Sequence, residues 1–329
     1  KMKPYGACRT CLVEVEANGR KMLVASCTTP PTPDSNVSTN NEEVMDLRRN
    51  VIELLMTEHP HGCLTCHRIK LCGPQDICQR HVSVTDRCTI CPKNERCELK
   101  DTVRMVELDL RTPLNYHRRN LPVHTDDPFY DRDYNLCIVC GRCVRVCEEV
   151  RGVDALTFVE RAGQALVGTS QGTSLLESGC EFCGACIDVC PTGALVEKKH
   201  KWAKASTTTS TVCNYCPVGC SIDLEVDYRQ TVIRTKSQVK SPANRGQLCF
   251  KGKFGMEFLN NKNRLKTPMI NNKEQFIETE WDEAISYLSN KLIVDIDWKN
   301  NDLCMIDNKR IMHGRRKILD NEKRDIINL

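Results

Sequence analysis

Aromatic side chains make up only 5% of this chain, so a large aromatic core is not available to it. No stretch approaches the ~20 consecutive apolar residues that a transmembrane helix requires. Charge of either sign is not in excess. A net charge of +4 gives no field strong enough to single out nucleic acid as a partner. Cysteine is the opposite case, with 23 among 329 residues. Secreted chains so rich in cysteine are usually short disulfide scaffolds. This chain is long, and 22 of its 23 cysteines fall into closely spaced groups. Thiolates crowded at CxxC spacing point to metal.

Local patterns divide the chain. Leu12–Glu16 alternates like a strand, Asn18-Gly19 is a hairpin turn, and Leu23–Ser26 is the expected return strand. A loop rich in Pro, Thr and Ser comes next. Thr39 and Glu42 have capping-box spacing before a helix whose apolar stripe is Val44, Leu47, Val51, Leu54 and Leu55. Residues 59–100 are dense in cysteine and poor in core formers. Residues 101–128 form a basic connector in which Arg111, Arg118 and Arg119 read as a solvated face. Thr157–Val159 and Ala165–Val167 pattern as a hairpin, Ser206–Thr211 as a domain boundary, and Trp281–Val294 as an amphipathic helix. The expected domains are 1–58, 59–128, 129–205, 206–294 and a divergent tail, 295–329. Both ends read as incomplete, because the chain opens at Lys1 already close to a cysteine motif.

The strongest motif is a pair of C-x2-C-x2-C-x3-C runs. Three closely spaced thiolates wrap one cube and the fourth ligates the other. Cys137, Cys140, Cys143 and Cys190 are therefore expected to hold one [4Fe–4S] cluster, and Cys180, Cys183, Cys186 and Cys147 a second. Zinc more often takes two well-separated CxxC pairs. Cys213, Cys216, Cys220 and Cys249 form a further group whose spacing alone suits zinc as well as a cluster. His59, Cys63, Cys66 and Cys72 have the spacing of a one-imidazole, three-thiolate site, again open to zinc or iron–sulfur. Cys88, Cys91 and Cys97 repeat that spacing as an internal duplication. Cys78 is the expected fourth ligand there, with His81 the alternative. Cys8, Cys11 and Cys27 lack a fourth partner, which is expected N-terminal of Lys1. Cys304 reads as an ordinary thiol.

The order of these motifs resembles the large subunit of NAD-linked formate dehydrogenases. It is also similar to the homologous cluster-bearing subunit of respiratory NADH dehydrogenase. GACRTCLVEVE…VASC looks like their plant-ferredoxin-like [2Fe–2S] domain, HPHGCLTC like their histidine-ligated [4Fe–4S] loop, and the double run like their two-cluster ferredoxin insert. CNYCPVGC…NRGQLCFKG, with RLKTPMI and WDEAISYL, looks like the start of a molybdopterin oxidoreductase, in which Lys251 would lie between cluster and pterin. The resemblance spans residues 5–293. It implies an α+β chain: a partial β-grasp [2Fe–2S] domain, cysteine-rich cluster loops, a two-[4Fe–4S] ferredoxin domain and the first iron–sulfur domain of a truncated molybdopterin oxidoreductase.

The resemblance further implies about five [4Fe–4S] clusters, a [2Fe–2S] cluster and, in the full-length protein, molybdopterin guanine dinucleotide with molybdenum or tungsten. It implies an NADH-binding flavoprotein and small [2Fe–2S] subunits as partners, no nucleic acid, and a cytoplasmic place, with attachment to the edge of a membrane complex left open. Two departures matter. The bulk of the pterin-binding domains is missing, so this stretch is expected to be part of an oxidoreductase without a complete catalytic domain. The second C-x2-C-x5-C loop is additional, and its CELK ending resembles the family's usual sequence better than the first loop's CGPQ does. His59 could therefore serve either loop. Competing expectations are a respiratory subunit without a working pterin site, an electron-input module of an iron hydrogenase, and a zinc scaffold.

Overall fold

The computed structural model describes residues 2–78, 87–108, 114, 116–161, 163–170, 172–272 and 275–291. His81, Arg111 and Cys304 lie outside them. The chain divides into two compact units, Lys1–Arg264 and Leu265–Leu329.

The first unit opens with strands β1 (Leu12–Ala17), β2 (Arg20–Ala25) and β3 (Asn36–Ser38), which form an antiparallel sheet in the order β2-β1-β3. Asn18 and Gly19 both take positive φ, 52° and 72°, the geometry of a tight two-residue hairpin turn. Helix α1 (Glu42–Met56) comes after the sheet. Its N-cap is Asn41, whose side chain accepts from the Val44 N–H at 2.9 Å. The Thr39–Glu42 capping box therefore does not form: the Thr39 carbonyl instead accepts from Arg48 at 2.8 Å. Arg48 also donates to the Leu12 carbonyl at 2.6 Å, tying α1 to β1. The buried face of α1 is Val44, Ile52 and Met56, while Leu54 of the expected stripe is 62% exposed.

That face rotates because α1 packs on the cysteine-rich segment and on helix α2 (Glu98–Met105). Ile52 and Met56 meet Leu64, Leu99, Val103 and Val106, the last three from α2 and its end. Residues 59–100 thus contribute more core than their composition promised. Arg119 is a tie rather than a solvated residue. It pairs with Glu58 and donates to the Tyr134 and Cys137 carbonyls at 3.2 and 2.9 Å.

The central part is built from β4 (Tyr130–Arg132), the short helix α3 (Arg142–Arg145) running into a π-turn at Val146–Arg151, the hairpin β5 (Leu156–Val159) and β6 (Leu166–Thr169), helix α4 (Ala185–Val189) and β7 (Leu195–Glu197). β4 pairs antiparallel with β7, both fully buried. Their core holds Tyr130, Leu156, Val167, Leu175, Ile187 and Leu195 among the cysteines of both runs.

Next comes a sheet of β8 (Thr207–Val212), β9 (Ser221–Val226) and β10 (Val232–Ser237), order β10-β9-β8, with helix α5 (Phe250–Phe254) packed on β10. The Thr/Ser run that read as a boundary is the exposed edge strand β8. Ile222, Leu224, Leu248 and Met256 pack around Cys213. The second unit contains the hairpin β11 (Met269–Asn272) and β12 (Gln275–Glu278) and helix α6 (Trp281–Lys291). Among the described residues no helix is long and apolar enough to cross a membrane.

The two kinds of packing differ in cost. Asn41→Ala removes only a cap and is expected to cost about 1 kcal/mol. Ile187→Ala empties a site of 0% exposure within the second ferredoxin run and is expected to cost ~2–5 kcal/mol. Thermal unfolding of the cluster-loaded chain checks both, and equal shifts would contradict this picture of the core.

Candidate metal centres

The two ferredoxin runs adopt the same backbone. Val139 and Phe182, each between the first two cysteines of its run, have φ of 54° and 50°. This strained turn aims their N–H groups back at sulfur: Val139 donates to Cys137 Sγ at 3.3 Å and Phe182 to Cys180 Sγ at 3.4 Å. Gly141 and Gly184 stand next at φ 70° and 73° and open helices α3 and α4. No other residue fits there. A Cβ on Gly141 would meet the Phe158 ring at 2.8 Å, and one on Gly184 would meet Lys253 at 2.6 Å.

The sulfurs group across the runs. Cys137, Cys140, Cys143 and Cys190 line one small cavity of about 20 Å³. Burial pushes the Cys137 thiol up to about 11, and Cys190 and Cys140 add to this against the Val139 hydrogen bond. Burial also holds the Cys186 thiol high. Tyr130 opposes that, while the neighbours that raise it are Cys183, Cys180 and Cys147. Each set therefore takes three sulfurs from one run and one from the other. Thiols held this way are neutral without metal, and ligation must displace their protons.

The duplicated loops lie close together in the fold. His59, 5% exposed, lines a cavity of about 200 Å³ with Cys88, Cys91 and Cys97. Its Nδ1 lies 3.0 Å from the Pro60 carbonyl. A carbonyl only accepts, so Nδ1 carries the proton and Nε2 keeps the lone pair that a metal needs. Burial pulls this imidazole down to about 4, leaving it neutral. Cys63 approaches the same group: a hydrogen bond with Cys63 is the main reason the Cys88 thiol is raised, ahead of burial and the neighbouring Cys91 and Cys97. Cys66, Cys72 and Cys78 are part-exposed, and Arg87 donates to Cys72 Sγ at 3.1 Å.

Two further groups lie at the surface. Cys213 is buried and Cys216 and Cys249 are exposed. The Cys220 thiol is raised by burial and then by Cys213, Cys216 and Cys249, so the four are neighbours. Cys8 and Cys27 are exposed. Burial raises the part-buried Cys11, but hydrogen bonds with Cys27 and Ser26 outweigh it and leave the thiol low. Lys251, beside Cys249, is exposed, whereas Lys253 is buried. Spacing singled out the first and had no means to find the second. Among the described residues no three His, Cys, Asp or Glu side chains stand at the spacing of a single metal ion. The first ferredoxin set offers four sulfurs around a common space, and in each run a backbone N–H turns toward the first sulfur, an arrangement that fits a cluster.

Residues 1–42 match a 2Fe-2S iron–sulfur cluster binding domain, and 48–83 an iron–sulfur binding region of NADH-ubiquinone oxidoreductase G. Residues 127–196 match the ferredoxin-like domain of NADH-quinone oxidoreductase subunit 3, and 206–261 the molybdopterin oxidoreductase Fe4S4 domain. The match to the G-type region takes in His59, Cys63, Cys66, Cys72 and Cys78 and ends before Cys88. The alpha subunit of an NADPH-Fe(3+) oxidoreductase of Geobacter sulfurreducens is 30% identical over 295 residues, covering 87% of this chain and 30% of that one. NADH-quinone oxidoreductase subunit 3 of Thermus thermophilus is 30% identical over 316 residues, covering 88% and 38%. A Staphylococcus aureus protein with a provisional formate dehydrogenase name is 26% identical over 330 residues, covering 88% and 30%. The chain thus spans about a third of the length of the curated relatives it matches. Over most of its length the chain is thus similar to iron–sulfur electron-transfer subunits, both the large cluster-bearing subunit of NADH-quinone oxidoreductase and formate dehydrogenase-like proteins, and its residues 206–261 match the Fe4S4 domain of the molybdopterin oxidoreductases.

Proposed function

We propose that the chain relays electrons between an NADH-linked flavoprotein and a pterin-bound molybdenum or tungsten, in an enzyme of the formate dehydrogenase type. The observation that carries this reading is the close approach of successive donor sets. A Cβ on Gly193, three residues after Cys190, would stand 2.7 Å from Cys91 Sγ. The His59–Cys97 set and the first ferredoxin set therefore abut with only a glycine between them. Lys253, four residues after Cys249, packs on Gly184 between Cys183 and Cys186, which brings the Cys213 segment to the second set.

Bound clusters would supply one-electron steps over a range of roughly −700 to +450 mV. The protein's part is burial, the choice of imidazole or thiolate, and hydrogen bonds to sulfur. His59, Cys88, Cys91 and Cys97 would hold one cube, Cys63, Cys66, Cys72 and Cys78 an additional one, and the two ferredoxin sets and the Cys213 set three more. Cys8, Cys11 and Cys27 would hold a [2Fe–2S] centre with a ligand from elsewhere. The exposed Lys251, with Phe250 and Cys249 also exposed beside it, supports a pterin-bearing partner domain on this face.

A second reading, a respiratory subunit without a working pterin, is favoured by the NADH-quinone oxidoreductase matches over 48–83 and 127–196. Metal analysis of the full-length protein separates the two. Molybdenum or tungsten, with cluster absorbance bleached by formate, supports the relay to a pterin. Bleaching by NADH alone, with neither metal, contradicts it. In that full-length protein Lys251→Met is expected to leave iron content unchanged and slow formate-driven bleaching at least tenfold; unchanged rates would return Lys251 to an ordinary surface lysine.

His59→Cys tests the ligand assignment. Exchanging a neutral imidazole for a thiolate adds negative charge, so one cube should be retained at a lower potential. The signal that moves should be the one lost in Cys91→Ser. A shift in a signal lost in Cys66→Ser would place His59 in the other loop.

A further inference from the structure

Three cysteine-bearing segments meet at one buried carboxylate, Glu197 at the end of β7. Arg96, next to Cys97, donates to Glu197 Oε2 at 2.6 Å and to Oε1 at 3.4 Å. Lys253, its side chain 1% exposed, lies 3.3 Å from Glu197 Oε1 and 2.6 Å from Asp188 Oδ1. It also donates to the Thr235 carbonyl at 2.9 Å. Asp188 stands between Cys186 and Cys190. Lys93, two residues after Cys91 and 4% exposed, donates to the Ile187 carbonyl at 3.1 Å. Cys190, Arg96, Glu197 and Lys253 are among the groups whose charges reach its ammonium. Burial would raise the Glu197 carboxyl, but Lys253 and Arg96 overcome this and hold it ionised, well below the usual range.

Three cations thus gather around Glu197 and Asp188, with Lys93, Lys253 and Glu197 themselves buried. Such a network is a poor source of stability, because desolvating the ions offsets much of their attraction. Its field is a different matter. Reducing a cube adds one negative charge, and in a medium of low dielectric a nearby fixed charge acts on it strongly.

We propose that this network sets the potentials of the clusters held at Cys91 and Cys190, with Glu197 lowering them and Lys93 raising them. The proposal rests on the reading that these thiols hold cubes. Both residues act through the field they impose and ligate nothing, so they are positioning residues. They also work in opposite directions, which a purely structural role does not produce.

The test is a redox titration of the intact, cluster-loaded chain followed by electron paramagnetic resonance, with iron measured on every sample. Glu197→Gln should raise the reduced-to-oxidised ratio of the affected signals about tenfold at fixed poise, which is about +59 mV for a one-electron couple. Lys93→Gln should lower it by a similar factor, with iron unchanged. Asp46→Asn, at the exposed Arg49–Asp46 pair, should shift nothing. Unmoved potentials at full iron content, or shifts of the same sign in both variants, overturn the proposal. If Glu197→Gln does not retain iron, Lys93→Gln decides: a negative shift supports the proposal and no shift overturns it. A wild-type chain that takes up zinc and no iron overturns the cluster reading itself, and the proposal with it.

Discussion

Burial of clustered sulfurs, with their mutual repulsion second, governs this chain. Cys143 is crowded by Cys186, Cys190, Cys137 and Cys140, and burial raises its thiol first and furthest. An arrangement that drives thiols such as Cys137, Cys143 and Cys186 toward their neutral form gains little from hydrogen bonding alone, since a thiol is a weak donor and acceptor. Metal changes the balance: it takes the thiolate form, supplies the opposite charge and contributes its binding free energy to folding. The low aromatic content and small separate cores are tolerable in a chain whose interior is completed by inorganic clusters.

The same constraint shapes the backbone. Val139 and Phe182 accept left-handed geometry, unfavourable for a β-branched or bulky residue, because it brings an N–H to sulfur. Gly141 and Gly184 then let the next helix start within a bond or two of the third cysteine. Gly193 keeps the ferredoxin loop thin where Cys91 approaches. These departures at Val139, Phe182, Gly141, Gly184 and Gly193 lie at donor sets, as expected where function overrides local stability.

Much of this was legible in the sequence. The crossed pairing of the two ferredoxin runs comes from C-x2-C-x2-C-x3-C spacing, and the β1–β2 hairpin from Asn18-Gly19. Tertiary packing hid the rest. The α1 stripe could not show Leu54 exposed, because α2 and Leu64 select the face that is buried. The capping box at Thr39 failed because Asn41, two residues closer to the helix, takes the cap position. Spacing paired His59 with Cys63, Cys66 and Cys72 and left it open to the other loop; what it could not show is that His59 shares a cavity with Cys88, Cys91 and Cys97 while Cys63 hydrogen-bonds with Cys88. Lys93 and Lys253 carried no signal, because a lysine is read as surface unless a structure shows what surrounds it.

The electron relay depends most on one condition, that the cysteine sets outside the N-terminal sheet hold cubes and not single ions. Nineteen cysteines and His59 make twenty donors in those sets, the number five cubes require. Mössbauer spectroscopy with metal analysis of the chain, reconstituted without oxygen, tests this directly. About twenty iron atoms in cube-type spectra, with no zinc beyond trace, are expected. Zinc at one or more equivalents, with iron reduced by about four for each, would contradict it.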